Sequence, residues 1–171
     1  MAESKGKTFL YDCVIIGAGP AGISAAIYTS RAKLRTLLIG KYKEGALYKA
    51  HIVANYFGFD KDVTGPDIVE RAVRQAQRFG TEVLEDEVVN VTKEKDVFTM
   101  KTANGLYLTS KTVIIATGTA CKIAGAKNEQ ALSGKGIHYC AVCDGYWYKQ
   151  KKIAVLGAAN HAAEEAITLL S

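Results

Sequence analysis

The sequence predicts an α/β protein of Rossmann-like topology, followed by the start of a second fold of the same kind. Three observations predict it. The apolar run Tyr11–Ile16 leads into Gly17-Ala18-Gly19-Pro20-Ala21-Gly22 and then into the Ala- and Ile-rich stretch Gly22–Arg31. A second apolar run, Leu34–Ile39, completes a strand-turn-helix-strand pattern of about 30 residues, the size of one βαβ unit. The pattern then returns: Val14-Ile15-Ile16-Gly17 is echoed by Ala154-Val155-Leu156-Gly157, and each leads into a small-residue turn and a helical pattern.

Residues 1–10 are polar and read as a frayed end. Tyr11–Ile16 and Leu34–Ile39 are short continuous apolar runs, as buried parallel strands should be. The segment Gly40–Asp62 reads as irregular, with a turn at Gly58. Pro66 sits where the first turn of a helix tolerates it. Beyond it Ile68, Val69, Ala72, Val73, Ala76 and Phe79 recur at helical spacing, and Gly80 supplies the stop. Thr81–Leu84 and Glu87–Val91 read as strands. Val97–Thr102 and Leu106–Ser110 flank Ala103-Asn104-Gly105, a hairpin signal. Thr112–Ala116 reads as a separate apolar strand ended by Thr117-Gly118-Thr119. Residues 119–150 read as mostly irregular, Lys152–Leu156 as a strand and Asn160–Ser171 as a helix. That helix stops on Leu169-Leu170-Ser171 with neither a Gly nor a basic residue in its last turn, so the sequence reads as cut within its second unit.

Composition narrows the function. Of 171 residues 49% are apolar and 23% charged, which excludes general disorder; 16 Gly with only 2 Pro means that the glycines do local work. The net charge of +5 comes without a dense Lys/Arg run, so no nucleic-acid partner is expected. Cys13–Ser30 carries no charge and approaches the length of a membrane span or a signal core. Gly17, Gly19, Pro20 and Gly22 break it, and Asp12 adjoins it. The expectation is a cytoplasmic protein with no membrane partner. In that compartment a close cysteine pair is redox-active or metal-binding rather than a structural framework.

Gly17–Gly22 is G-x-G-x-x-G in its confirming context, after a strand and opening a helix. Gly17 allows the tight turn, Gly19 lets backbone approach a pyrophosphate and Gly22 lets helix and strand pack closely. The helix N-terminus adds N–H donors and a positive dipole end. The acid that usually follows about 20 residues on, to bind ribose, is missing. Gly40 stands at the end of the second strand and Glu44 lies in the loop beyond, so the loop Gly40–Leu47 is expected to hold the adenosine ribose.

The second motif is Cys140-Ala141-Val142-Cys143-Asp144-Gly145. A structural zinc site needs four ligands. Spacing offers His138 as a third and no clear fourth among Cys13, Cys121 and His161, so no metal is expected, with zinc the alternative. A redox dithiol fits better, because C-x-x-C closes a small ring and lowers a thiol pKa. Asp144 could move a proton to or from a leaving thiolate, or simply serve the turn before Gly145. The third motif, Gly157-Ala158-Ala159-Asn160-His161-Ala162, matches a second nucleotide turn, but Ala159 replaces the middle glycine and adds a Cβ where backbone should approach a ligand. Cys13 reads as inert packing in a buried strand. His51 and the rings of Tyr42, Tyr48, Tyr56, Phe57 and Phe59 read mostly as packing. Tyr146-Trp147-Tyr148 reads as a partner-docking surface or as local core.

These motifs, in this order, resemble the low-molecular-weight flavoprotein thioredoxin reductases. The resemblance runs from Tyr11 to Ser171 and rests on Gly17–Gly22, Val53-Ala54-Asn55-Tyr56-Phe57-Gly58, Ala116-Thr117-Gly118, Cys140–Gly145 and Gly157–Ala162. It implies an FAD-binding domain, incomplete here, over residues 1–118, and the start of an inserted NADPH-binding domain over 119–171. It implies FAD at Gly17, Gly19, Pro20, Ala21 and Gly22 and along Gly40, Gly45, Ala46 and Leu47, with Asn55, Val83, Ala116, Thr117 and Gly118 close by. Gly157 and Asn160 would begin the NADPH site, which this chain leaves incomplete. Cys143 would be the flavin-side thiol, Cys140 the thiol that attacks a partner disulfide and Asp144 the general acid. The resemblance further implies a homodimer that passes two electrons from a reduced donor through FAD and the cysteine pair to a thioredoxin-like protein. A relative fed by another donor such as ferredoxin, with Ala159 as its support, and an inactive fragment or split subunit are the alternatives. Family members are roughly twice as long, and the usual Gly-Gly of the flavin loop is Gly45-Ala46 here.

Overall fold

The computed structural model describes residues 10–119 and 123–170. The polar stretch before Leu10, Cys121 and Ser171 lie outside the described residues. The chain divides into two compact units, Met1–Ala50 with Val63–Thr119 and His51–Asp62 with Ala120–Ser171.

The first unit is built on one six-stranded sheet. Its elements are β1 (Leu10–Ile16), α1 (Pro20–Arg31), β2 (Thr36–Ile39), α2 (Gly65–Arg78), β3 (Glu82–Leu84), β4 (Val88–Glu94), β5 (Val97–Thr102) and β6 (Tyr107–Ile115). The strand order is β3-β2-β1-β6-β5-β4. β3, β2, β1 and β6 run parallel, and β4, β5 and β6 form an antiparallel meander.

The central strands β1 and β2 are largely buried on both faces, which is why they read as continuous apolar runs. Cys13, Ile15 and Leu38 pack with Ile23 and Ala26 of α1 and Val69, Val73 and Ala76 of α2. Tyr11, Val14, Leu37 and Ile39 pack with Met100 of β5. α2 starts as its sequence directs. The Thr64 hydroxyl accepts from the Asp67 N–H at 3.2 Å, its O–H donates to Asp67 Oδ2 at 2.7 Å, and Pro66 occupies the first turn. It ends at Gly80 with φ +98°, where the Gly80 N–H reaches the Gln77 carbonyl at 2.9 Å.

Two expectations are corrected. Leu106–Ser110 and Thr112–Ala116 are a single strand, β6. It pairs antiparallel with β5 through Tyr107–Ser110 and parallel with β1 through Thr109–Ile115. Lys111, which looked like a break, sits inside the strand and pairs with Asp12 at 2.7 Å. The hairpin before it forms as read: Gly105 has φ +83°, and its N–H reaches the Thr102 carbonyl at 3.0 Å.

The second correction lies in the other unit. Lys152–Leu156 is not a strand, and its residues are all exposed. Strand backbone needs a neighbour to take its N–H and C=O groups, and among the described residues none pairs with this run. The helix after it, α5 (Asn160–Thr168), is present. The stretch read as irregular holds two short helices, α3 (Glu129–Leu132) and α4 (Ala141–Asp144), and a 3₁₀ turn at Gly145–Tyr148. Each is a single turn too short to show a period. The buried Glu129 carboxylate organises the first of them. It accepts from the N–H groups of Ala124 and Ala126 at 2.8 and 2.9 Å and from the Tyr139 hydroxyl at 2.7 Å.

Candidate functional site

In the first unit, four strands end level. Ile16 of β1 lies opposite Ile39 of β2 and Ile115 of β6, and Ile39 lies opposite Leu84 of β3. The chain moves from β1 to β2 and β3 on one side, while β6 lies on the other. The carboxyl end of β1 is therefore a switch point, where open α/β sheets bind ligands.

The turn at that point sorts its glycines by task. Gly17 leaves β1 with φ +109°, its N–H bonded to the Ile39 carbonyl at 2.7 Å; a Cβ there would lie 2.1 Å from the Ala116 carbonyl oxygen. A Cβ on Gly22 would lie 1.8 Å from the Gly17 carbonyl oxygen. Both are glycine because the backbones touch. Gly19 differs, since a Cβ there would meet nothing within 4 Å. It is the N-cap of α1 in extended backbone, and no side chain caps that helix end. The first turn of α1, with Pro20, Ala21 and Gly22, carries no acid. Open N–H groups and the positive end of the helix dipole thus face a space that a side chain would otherwise fill.

Other predicted positions join the same edge. Gly40 follows β2, its N–H bonded to the Leu84 carbonyl at 3.1 Å, and its Cβ position lies 2.5 Å from the Ala18 nitrogen. Ala116 bonds to the Ile16 carbonyl at 2.7 Å, and the exposed Thr117 and Gly118 (φ +68°) follow. Val83 of β3 turns into the helix-side core. Gly45 closes the 3₁₀ turn Tyr42–Glu44, Ala46 is exposed, and Leu47 packs on the helix-side core with Tyr42 and Tyr48. These two rings meet edge to face at 6.3 Å, and the Tyr48 hydroxyl reaches Glu70 at 3.1 Å, which is the packing role read for them. Asn55 is exposed and falls in the second unit, as do the paired rings of Tyr56 and Phe59 and the fully exposed Phe57.

The second unit carries the cysteines. Cys140 and Cys143 form a disulfide with their Cα atoms 5.3 Å apart. Cys140 caps α4, accepting from the Cys143 N–H at 3.2 Å. Glu165 of α5 accepts from the Ala141 N–H, which ties α4 to α5. Asp144 ends α4 half-buried, and its Oδ2 lies 3.2 Å from His138 Nδ1. His138 Nε2 lies 2.7 Å from the Tyr148 hydroxyl. The sequence offered His138 only as a metal ligand and Tyr148 only as one of three consecutive rings. Their sole signal was His138 two residues before C-x-x-C-D, a spacing with no structural period. Tyr146 and Trp147, exposed at 77% and 49%, are not local core. Among the described residues, no three His, Cys, Asp or Glu side chains are grouped to hold a metal.

Gly157 and Asn160 lie at the start of α5, with Ala159 as its N-cap in extended backbone. Ala159 thus occupies the position in α5 that Gly19 occupies in α1, and it places a methyl group where Gly19 leaves space. Cys13 is buried, and burial raises its thiol pKa above the ordinary value.

The family model described as pyridine nucleotide-disulphide oxidoreductase matches residues 11–171. The chain belongs to this family. Among the pyridine nucleotide-disulphide oxidoreductases, its curated relatives include the thioredoxin reductase of Peptoclostridium acidaminophilum. That protein is 42% identical over 161 residues, which are 94% of this chain and 51% of the relative. The crystal structure of thioredoxin reductase from Streptococcus pyogenes MGAS5005 matches with TM-score 0.87 and 33% identity, over 94% of this chain and 52% of that one. Thioredoxin reductase from Giardia duodenalis matches with TM-score 0.88 and 31% identity, over the same shares of 94% and 52%. The family resemblance and the α/β class read from the motifs are borne out. The chain spans about half the length of the curated relatives it matches. No helix among the described residues is long and apolar enough to cross a membrane.

Proposed function

We propose that the chain is the FAD-binding and redox-dithiol part of a flavoprotein disulfide reductase acting on a thioredoxin-like protein. The observation that carries this reading is the disulfide Cys140–Cys143, followed directly by Asp144, in a chain whose other unit presents an uncapped helix N-terminus at a sheet switch point. Residues 1–118 are the FAD domain in this reading, and 119–171 begin a second nucleotide domain. A cytoplasmic homodimer is part of the same proposal and rests on the family resemblance.

The first unit fits FAD. Gly19 leaves the space that a pyrophosphate needs, and α1 supplies N–H donors without a competing acid. Gly17, Gly19, Pro20, Ala21 and Gly22 would hold the phosphates, with Gly40, Gly45, Ala46, Leu47, Val83 and Ala116–Gly118 around the rest. When bound, the flavin supplies two-electron transfer to and from the cysteine pair. The chain's residues do the remainder. Cys143 is the flavin-side sulfur. Cys140, as a thiolate, attacks a partner disulfide, and the mixed disulfide is resolved by Cys143. Asp144 holds the proton that a departing thiolate needs.

The turn at Gly157–Asn160 fits a second nucleotide less well. NADPH, the donor that the resemblance implies, would meet the Ala159 methyl where a pyrophosphate approaches.

The visible absorbance of the purified chain after incubation with FAD and desalting tests the reading. A retained flavin band, and reduction of thioredoxin disulfide by the pre-reduced chain, are expected. A colourless protein whose dithiol leaves thioredoxin oxidised would overturn it. Bleaching of the bound flavin on mixing with NADPH would identify the donor.

A further inference from the structure

Two contacts in the second unit join three side chains into one line. Asp144 Oδ2 meets His138 Nδ1 at 3.2 Å, and His138 Nε2 meets the Tyr148 hydroxyl at 2.7 Å. The His138 and Tyr148 rings also stand edge to face, 5.0 Å between centroids. The side chains of His138 and Asp144 are 20% and 32% exposed, so the contact is partly shielded from water.

We propose that His138 is a positioning residue for thiol–disulfide exchange at Cys140–Cys143, holding the Asp144 carboxyl in place while Tyr148 holds the imidazole. The proposal rests on the dithiol reading above and assigns a device which that reading does not contain.

The donor and acceptor inventory fixes the arrangement. A carboxylate, like the carbonyl oxygen of a protonated carboxyl, only accepts, and a neutral imidazole has one donor and one acceptor nitrogen. Nδ1–H therefore donates to Asp144, which leaves Nε2 to accept from the Tyr148 O–H. The two partners together select one tautomer and one ring orientation. Three other titratable groups of the second unit have partners of their own. Glu165 of α5 accepts from the Ala141 N–H, and His161 lies 3.8 Å from it. Tyr139, next to His138, donates to Glu129. Asp144 is thus the carboxylate that His138 touches.

The exchange balances with Asp144 carrying one proton and water the other. The Cys140 thiol loses its proton to water, and its thiolate forms a bond to one partner sulfur as the partner S–S bond breaks. The departing partner thiolate takes a proton from the Asp144 carboxyl. Cys143 then gives its proton to the Asp144 carboxylate and attacks the mixed disulfide. The second partner sulfur leaves and takes up a proton from water, matching the one released by Cys140. Two electrons and two protons pass from the dithiol to the partner, and Asp144 ends as it began. In both forms the Nδ1–H of His138 holds the carboxyl group in one orientation.

The test uses the full chain, reduced with dithiothreitol, desalted and mixed with oxidised glutathione between about pH 5 and pH 8. Trp147, the one tryptophan of the chain, lies four residues after Cys143 and reports re-formation of the disulfide by fluorescence. His138→Ala is expected to slow exchange about tenfold and to change the shape of the pH profile, a modest share of the usual contribution of general acid–base catalysis. His138→Asn places an N–H donor near the Nδ1 position and should recover most of the rate at neutral pH without recovering the profile. Tyr148→Phe should fall between the two. Circular dichroism melts check folding, and if His138→Ala does not fold, the other two variants decide. Variant profiles that superimpose on the parent, or that are lowered by one factor at every pH, overturn the role of His138 and leave the dithiol reading standing. A parent chain whose dithiol does not exchange at any pH overturns both.

Discussion

Gly22 at the start of α1 packs directly against the backbone of Gly17, so closely that a Cβ on Gly22 would sit 1.8 Å from the Gly17 carbonyl oxygen. Gly19, between them, faces open space. The two substitutions should therefore part company. Gly22→Ala should cost about 3 kcal/mol, the upper end for overpacking, because the clash is with backbone and cannot be relieved by a rotamer. Gly19→Ala should cost about 1 kcal/mol, the loss of a favourable N-cap residue, yet weaken FAD retention sharply. Urea melts and flavin titrations of the two variants check this. Equal stability losses would refute the division of labour.

Tyr11 should make the fold sensitive to alkali. Burial, followed by its hydrogen bond to Glu82 at 2.8 Å, raises its phenol from 10.0 to about 12. A group whose pKa rises on folding contributes stability that is fully present below its unfolded value and lost as pH climbs through the folded one. The denaturant midpoint should therefore fall from about pH 10 toward pH 12, and Tyr11→Phe should remove much of that slope. An unchanged slope in the variant would sink the assignment.

Glu129 should have the opposite signature. Its hydrogen bond from Tyr139, then that from the Ala124 N–H, hold its carboxyl below the ordinary value. A lowered carboxylate contributes stability above the unfolded pKa and loses it as pH falls through the folded one. Glu129→Gln should lower the melting temperature near neutrality, with the gap to the parent closing in acid. Thermal scans across the acid range measure it, and a gap independent of pH would contradict the role.

Cys13 should resist alkylation while the chain is folded. It is 2% exposed, and burial raises its thiol pKa. Reduced Cys140 and Cys143 should label promptly with iodoacetamide, whereas Cys13 should label only as denaturant unfolds the first unit. Mass spectrometry of the labelled peptides distinguishes the sites. Prompt labelling of Cys13 without denaturant would show that β1 opens locally.

Much of the first unit was legible because local rules and tertiary structure agree there. The apolar run of β1, the glycines after it and the Thr64–Asp67 start of α2 each obey a short-range requirement. Two positions show where such rules fail. Lys111 looks like a strand break in sequence, but β6 runs through it because the strand has neighbours on both sides and Asp12 pairs the lysine. Lys152–Leu156 looks like a strand, but β-structure is a property of paired backbones, and the described residues provide no partner.

The candidate site divides in the same way. By itself the sequence determined the phosphate-type turn, the dithiol and the acid beside it, since each is a string of neighbouring residues whose spacing carries its chemistry. Only the tertiary structure decided that Gly17, Gly40 and Ala116, far apart along the chain, meet at one sheet edge, and that His138 spans Asp144 and Tyr148. Those contacts depend on parallel strand register and on the course of irregular backbone, and neither leaves a period in the sequence.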